Sequence, residues 1–371
     1  MEKVKYDVLI RHTMELRYFI IRRLLVMIPT LIGLLVIVFA LLSGIPKSVL
    51  AAPYLNPRSS LPKAQQLQNI YALLGLNQPP PIHFFIYVKD VFTGNLGIMN
   101  LAGYPSNVLS AIELAFPNTV QLALFATLLS IVIAIPLGTY IGSKPNSLSD
   151  QAGRIFSLSG YSMPAFWLGI LLIYAFGQGV ITGNPLGVLP YSGSFNALAI
   201  PTPNPVWFHG EFTSPTHLFI FDALLNGAWG LAWDGFKHVI LPVITLTYTI
   251  LAGVLRFIRA GMVDSSYQEY VKTARAKGVP EKMVIKRHIR RNALIPSITV
   301  MGLLFSSLLG GVVIIEDLFS YPGIGMLAVN AAETYQVYGV LGTTFFFGII
   351  LIIANLIVDV VYAFVDPRIR Y

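Results

Sequence analysis

Six long apolar stretches, with no charge inside them, constrain this 371-residue chain more than any other feature. They are Leu24–Leu42, Phe116–Ser143, Ile155–Glu211, Val239–Leu255, Ala293–Ile315 and Thr334–Val358, the third being apolar enough to span only in its first half. A helix of about twenty apolar residues crosses the hydrocarbon core of a bilayer, and tilt or thinning absorbs modest departures. Charged residues make up 11% of the chain, against roughly a quarter of a soluble domain. That is too few to cover a water-exposed surface of this size. The chain reads as an all-α, polytopic membrane protein with six transmembrane helices. Its first run follows Arg17, Arg22 and Arg23 and is too long for a signal-peptide core, so it is read as an uncleaved span despite the cleavage-like VLAAP at 49–53.

The basic residues orient the spans. With the N-terminus inside, twenty of the 25 Lys and Arg residues fall on cytoplasmic segments, ten of them between Arg256 and Arg291. The five others are Lys47, Arg58, Lys63, Lys89 and Lys237. This bias places both termini in the cytoplasm. It also explains the net charge of +8 as topology, with no nucleic-acid patch implied. The resulting division is a cytoplasmic N-terminus at 1–23, a first transmembrane helix at 24–43 and an outer segment at 44–115. A five-helix core at 116–366 follows, interrupted by an outer insertion at 183–237 and a cytoplasmic loop at 256–292. Within the insertion, Trp233 sits at a span end as an interface anchor, whereas Trp207 and Phe208 suit an anchor and a binding-protein or substrate contact equally.

Several functions are excluded or weakened. There is no cysteine, hence no disulfide or thiolate chemistry, and the dipeptide Gly-Lys of a phosphate-binding loop never occurs. Ion-coupled carriers need intramembrane carboxylates or histidines. Here His238, Glu316 and Asp359 are placed at span ends, in reach of water or headgroups. No paired carboxylates, Ser/His arrangement or metal cluster falls at membrane depth, so the chain is not read as an enzyme, and no metal or cofactor is expected in it. Ser130, Ser157, Ser159, Ser162, Ser306 and Ser307 are candidate pore-lining groups, although such small residues more often let helices approach closely.

The cytoplasmic stretch YVKTARAKGVPEKM, residues 270–283, reads as two helices with a break. Asp264 or Ser265 suits the first cap. Tyr267, Tyr270 or Val271, Ala274 and Gly278 fall on one helical face, flanked by Lys272, Arg275 and Lys277. Gly278 suits the left-handed residue that ends a helix, and Pro280 the first turn of the next. The second helix carries Lys286, Arg287, Arg290 and Arg291 towards the inner headgroups. Such a stripe fits either a knob docking in a groove of a soluble protein or a helix lying on anionic lipid.

YVKTARAKG followed by RNALIP (291–296) resembles the EAA loop of permease subunits of ATP-binding-cassette importers, in particular the dipeptide, oligopeptide and nickel branch. RYFIIRRLLVMIPTLIG (17–33), LGLNQPPP (74–81), GNLG (94–97), PNTVQLALFATLLSIVIAIPLG (117–138), MPAFWLGILL (163–172), EDLFSYPGIG (316–325) and the terminal DPRIRY resemble that branch in order along most of the chain. The name-giving Glu-Ala-Ala falls on Lys272, Thr273 and Ala274, so only Ala274 and Gly278 keep the general pattern.

The resemblance implies a type I importer permease fold in a prokaryotic plasma or inner membrane. It implies half of a translocation pore for dipeptides or oligopeptides, with oligosaccharides as the alternative cargo and a passive channel as a remote one. Its partners would be a homologous permease subunit, two ATPases that bind ATP and Mg, an external substrate-binding protein and the lipid bilayer. The loop would be the coupling helix, with Tyr267, Tyr270, Val271, Ala274 and Gly278 in the ATPase cleft and Lys272, Arg275 and Lys277 on its rim. On that reading Ala274→Trp or Gly278→Pro keeps folding but uncouples hydrolysis from transport. Tyr321, Pro322, Gly323 and Gly325 would form an outer gate or a plain connecting turn.

Overall fold

The computed structural model describes residues 2–181, 183–194, 206–207, 210–211 and 216–365. Apart from a two-residue antiparallel pairing of β1 (Val206–Trp207) with β2 (Gly210–Glu211), its regular structure is helical. The N-terminal segment and first span form a single helix, α1 (Glu2–Ser43). The outer segment then folds into α2 (Lys47–Ala51), α3 (Lys63–Leu73) and α4 (Pro80–Phe92). These pack on α1 and on the last helix, α15 (Val337–Val365), around Leu35, Val38, Leu42, Leu50, Leu76, Leu341 and Phe345. The Phe39 ring on α1 meets His83, Phe84 and Tyr87 on α4 at 5.1, 5.2 and 5.7 Å. At the opposite end of the same helix pair, Arg23 bonds Asp359 at 2.8 Å, so both ends of the bundle lie on one membrane face.

The second span belongs to α5 (Val108–Gly142), whose 35 residues reach about 52 Å, well beyond a hydrocarbon core of about 30 Å. Its first residues therefore belong to the outer side, capped by Asn107, whose side chain accepts from the Ser110 amide. The fourth span is α9 (Trp229–Ser266), 38 residues long. The two pack side by side because Gly138 and Gly142 lie directly against Ile258 and Met262, where a Cβ would collide. Leu122, Ala126, Leu246, Val254, Leu255 and Ile258 form the dry centre of this pair. Short α8 (Phe219–Leu225) covers the outer end of α9.

The third span is not straight. It is a pair, α6 (Leu148–Ser162) and α7 (Ala165–Phe176), bent by 102° at Met163 and Pro164. Each arm is anchored by its own glycine, Gly160 against Ala252 and Tyr248 on α9, and Gly169 against Leu318 and Phe319. The bend is thus set by packing in two directions. Beyond the cytoplasmic loop, α12 (Arg290–Gly311) forms the fifth span, followed by short α13 (Val313–Leu318) and α14 (Ile324–Glu333) before α15 closes the bundle. Five long apolar helices and the bent pair make up the six spans.

Of the three ionisable groups expected at span ends in reach of water or headgroups, two are buried. Glu316 on α13 is fully buried and His238 on α9 is 7% exposed, its Nδ1 2.8 Å from the Asp234 carbonyl. Asp359 stays 27% exposed and pairs with Arg23. His238 and Asp359 lie on helices long enough to reach a packed layer beside the membrane, whereas Glu316 is enclosed between α5 and the start of α14. Trp229 and Trp233 do stay exposed at the outer end of α9, and the Trp233 ring stacks on Phe236 at 5.7 Å.

Candidate coupling site

Helix α9 runs without a break to Ser266, so Asp264 and Ser265 lie inside it and cap nothing. Tyr267 is its C-terminal cap and is exposed. A short second helix, α10 (Glu269–Ala276), starts from Gln268, whose extended backbone makes the corner. Gly278 ends it at φ +73°, donating its N–H to the Arg275 carbonyl at 2.9 Å, and a Cβ there would meet nothing within 4 Å. The need for glycine is therefore one of backbone conformation alone. Pro280 stands one residue ahead of its expected place, as N-cap of α11 (Glu281–Met283).

After α11 the chain makes one wide π turn, Val284–Ile289, and continues directly into α12. Across the Gly278 break, the Arg275 guanidinium donates to both carboxylate oxygens of Glu281, at 3.0 and 2.7 Å. The guanidinium holds the Glu281 carboxyl below the usual carboxylate range and is itself raised. Lys272 pairs with Glu269 at 2.8 Å. A corner residue, a glycine cap and a charge clamp thus fix the angle between α10 and the helix that re-enters the membrane.

The face that α10 presents differs from the expected stripe. Val271 and Ala274 are buried and join the chain's own core with Val279, Val284 and Ile289. Both residues are the apolar ones of a helix that lies against its own π turn, so burial on this chain claims them first. Tyr267, Tyr270, Lys272, Thr273, Arg275, Ala276, Lys277 and Gly278 remain open. Ala274→Trp accordingly drives an indole into the core, and Gly278→Pro imposes a negative φ and deletes a bonded N–H. Neither variant keeps this fold locally intact.

At the other end of the molecule the Tyr321–Gly325 turn is a packed unit and not a loose connection. The Glu316 carboxylate accepts from the Thr119 hydroxyl on α5 at 2.6 Å and from the amides of Gly325 and Met326 at 2.6 and 3.3 Å. These amides are the free donors at the start of α14, where a carboxylate is favoured by the helix dipole. Thr119 Oγ1 accepts in turn from the Ile324 amide, and Asn118 donates to the Pro322 carbonyl at 2.9 Å. Tyr321 is fully buried, its hydroxyl accepting from Gln121 at 2.7 Å. A methyl on Gly323 or Gly325 would fall on the Glu316 carboxylate or the Val313 backbone, which is why both are glycine.

Of the serines proposed to line a pore, Ser130 and Ser306 are buried and donate to carbonyls of their own helices, Ala126 and Gly302. Ser159 bonds the Tyr248 hydroxyl at 2.9 Å. Ser307 joins Thr249 in a recess of about 280 Å³ between α7, α9, α12 and α13, and Ser157 lines another of about 440 Å³ beside Arg154 and Arg259. Trp207 is placed by its backbone in β1, while Phe208, His209 and the terminal 366–371 lie outside the described residues.

One pair escaped the sequence reading. Asp150, fully buried at the start of α6, receives the Arg259 guanidinium in two bonds, one of them Nη2 to Oδ2 at 2.9 Å, and accepts from the Asn146 amide. It ties the bent span to α9 seven residues before that helix ends. The only signal was SLSD at 147–150, a capping pattern in which Ser147 accepts from the Asp150 amide.

Residues 134–371 match the family model described as binding-protein-dependent transport system inner membrane component. The chain is 34% identical over 351 residues to the dipeptide transport system permease protein DppB of Alkalihalophilus pseudofirmus, covering 94% of this chain and 98% of that protein. It is 36% identical over 306 residues to the probable D,D-dipeptide transport system permease protein DdpB of Escherichia coli K12, covering 82% and 84%. It is 32% identical over 353 residues to the oligopeptide transport system permease protein AppB of Bacillus subtilis, covering 95% and 99%. With six spans, both ends on one face and near-complete coverage by these relatives, the chain belongs to the inner membrane component family of binding-protein-dependent transport systems and is a multi-pass permease subunit.

Proposed function

We propose that this subunit forms half of the translocation path of an ATP-driven importer of dipeptides or oligopeptides. A homologous permease subunit, two ATPases that bind ATP and Mg, and an external substrate-binding protein complete the assembly. The observation that carries the coupling role is the geometry of α10: a short stiff helix with fixed ends, an exposed outer face holding Tyr270, Lys272 and Arg275, and exposed Tyr267 and Lys277 on either side. A flexible basic loop binds a partner but transmits no displacement; a helix clamped at Gly278 and through Arg275–Glu281 does both. Val271 and Ala274 serve this role from beneath, as the contact through which α10 pushes on the π turn and α12.

The outer turn at Tyr321–Gly325, pinned to α5 by Glu316 and Gln121, acts in this scheme as one rigid element of the outer gate. Peptide cargo is favoured by what similar permeases are named for, dipeptides and oligopeptides, and oligosaccharides are the weaker choice. Uptake into proteoliposomes holding the assembled complex tests the cargo. ATP-dependent accumulation of labelled di- to hexapeptides is the expected result. Accumulation of oligosaccharides with no peptide response would overturn the cargo and keep the machine.

A further inference from the structure

Beyond the coupling face, the π turn and the start of α12 carry a second basic surface. Lys286, Arg287, Arg290 and Arg291, with Leu294 and Ile295, line an open recess of about 680 Å³. These residues recur four apart in pairs and so share one side of the helix. Four residues overshoot one α turn, and the wider π turn at Val284–Ile289 keeps the first pair in line with the second. Among the described residues, no carboxylate forms an ion pair with any of these four cations. The neighbouring cations Lys272 and Arg275 are both paired, which sets the two surfaces apart.

The placement along the axis identifies the chemistry. From residue 286 to residue 291 the helix rises about 7.5 Å, and the headgroup layer on one side of a bilayer is about 5–8 Å thick. The same face then turns apolar at Leu294 and Ile295, on the way into the fifth span. A surface that passes from four unpaired cations to apolar side chains within two turns matches a phosphodiester headgroup above its acyl chains. Guanidinium groups bind such phosphates bidentately.

We propose that Lys286, Arg287, Arg290 and Arg291 form a binding site for an anionic phospholipid of the cytoplasmic leaflet. It seats the helix that leads from the coupling segment into the membrane. The site depends on the topology and not on the cargo or on the identity of the ATPase.

The test uses the full chain in phosphatidylcholine nanodiscs containing a tenth of spin-labelled phosphatidylglycerol or, separately, spin-labelled phosphatidylcholine. The expected wild-type result is a several-fold preference for the anionic probe, retained in 50 mM inorganic phosphate. The triple variant R287Q/R290Q/R291Q should lose most of that preference. The variant K272Q/K277Q/K282Q, with the same net charge, should keep it. Equal loss in both triple variants would reduce the effect to bulk charge and overturn the site. Displacement by phosphate would mark a free-anion site, and no preference in the wild type would mark none. If, in the assembled complex, an Arg290→Cys chain crosslinks efficiently to an ATPase subunit, the surface belongs to a protein partner and the lipid assignment fails.

Discussion

Replacing Glu316 by alanine removes the acceptor on which three donors converge, and the consequence can be worked from the geometry. Two of the three bonds are short, Thr119 Oγ1 and the Gly325 amide, both at 2.6 Å to a carboxylate with no exposure to water. A buried donor left unpaired costs about 1–3 kcal/mol, so the change removes about 2–6 kcal/mol before any cavity is counted. That is a large share of the 5–15 kcal/mol that typically holds a folded protein together. Glutamine is the discriminating control. Its carbonyl oxygen can still accept from the Gly325 and Met326 amides, while its NH₂ faces Thr119 Oγ1, which already accepts from Ile324 and can accept again. Glu316→Gln strands only the Thr119 O–H, so it should cost about 1–3 kcal/mol, about half the alanine loss. The assay is the temperature at which half of the detergent-solubilised chain stops eluting as a single species. The alanine variant should fall by several degrees, and the glutamine variant by about half as much. An alanine variant that melts with wild type, or a glutamine variant that falls as far as alanine, would refute the pinning of the outer turn.

Other substitutions probe the remaining joints. Gly278→Ala should cost about 1 kcal/mol through its left-handed φ alone, since the space is open, and Gly278→Pro should cost about 3 kcal/mol or more; the same thermal assay ranks them. Asp150→Ala should destabilise by about 3 kcal/mol, because it strands Arg259 beside a buried site, whereas the double change Asp150→Leu with Arg259→Met should recover most of that loss. The Arg275–Glu281 clamp is about half exposed on both sides and contributes no more than about 1 kcal/mol. Because Glu281 is held below its ordinary value, this contribution is present at neutral pH and is lost as pH falls through that lowered value. Amide exchange across Glu269–Ala276 should thus quicken at most about fivefold in Glu281→Gln at pH 7, with the difference vanishing in acid.

What the sequence revealed and what it hid follow from range. Apolar runs and the distribution of lysine and arginine are properties of contiguous chain, and they yielded six spans and their direction. The Gly278 break was legible for the same reason: a left-handed cap needs only its own backbone. The Glu316 network was not, because its partners Thr119 and Glu316 stand 197 residues apart and no local pattern foretells burial of a carboxylate. Pro164 shows a related failure. Prolines 29, 117, 136, 242 and 296 all sit inside long helices, whereas Pro164 caps the start of α7 at the bend. Packing of Gly160 and Gly169 on different neighbours decides which proline becomes a bend. The candidate coupling face was half legible: periodicity found a helix and its apolar side, but that side belongs to the chain's own core, and the outward side had to come from the fold.

The coupling role of α10 is tested most directly by two single cysteines, which the cysteine-free chain makes unambiguous. Ala276→Cys lies on the exposed face and Ala274→Cys on the buried one. In membranes holding the permease pair without ATPases, a maleimide should label position 276 quickly and position 274 hardly at all. With the ATPases assembled, labelling at 276 should become protected, and complexes labelled at 276 beforehand should hydrolyse ATP without driving uptake. Equal labelling at 276 with and without the ATPases, together with normal uptake by the labelled complex, would contradict the account.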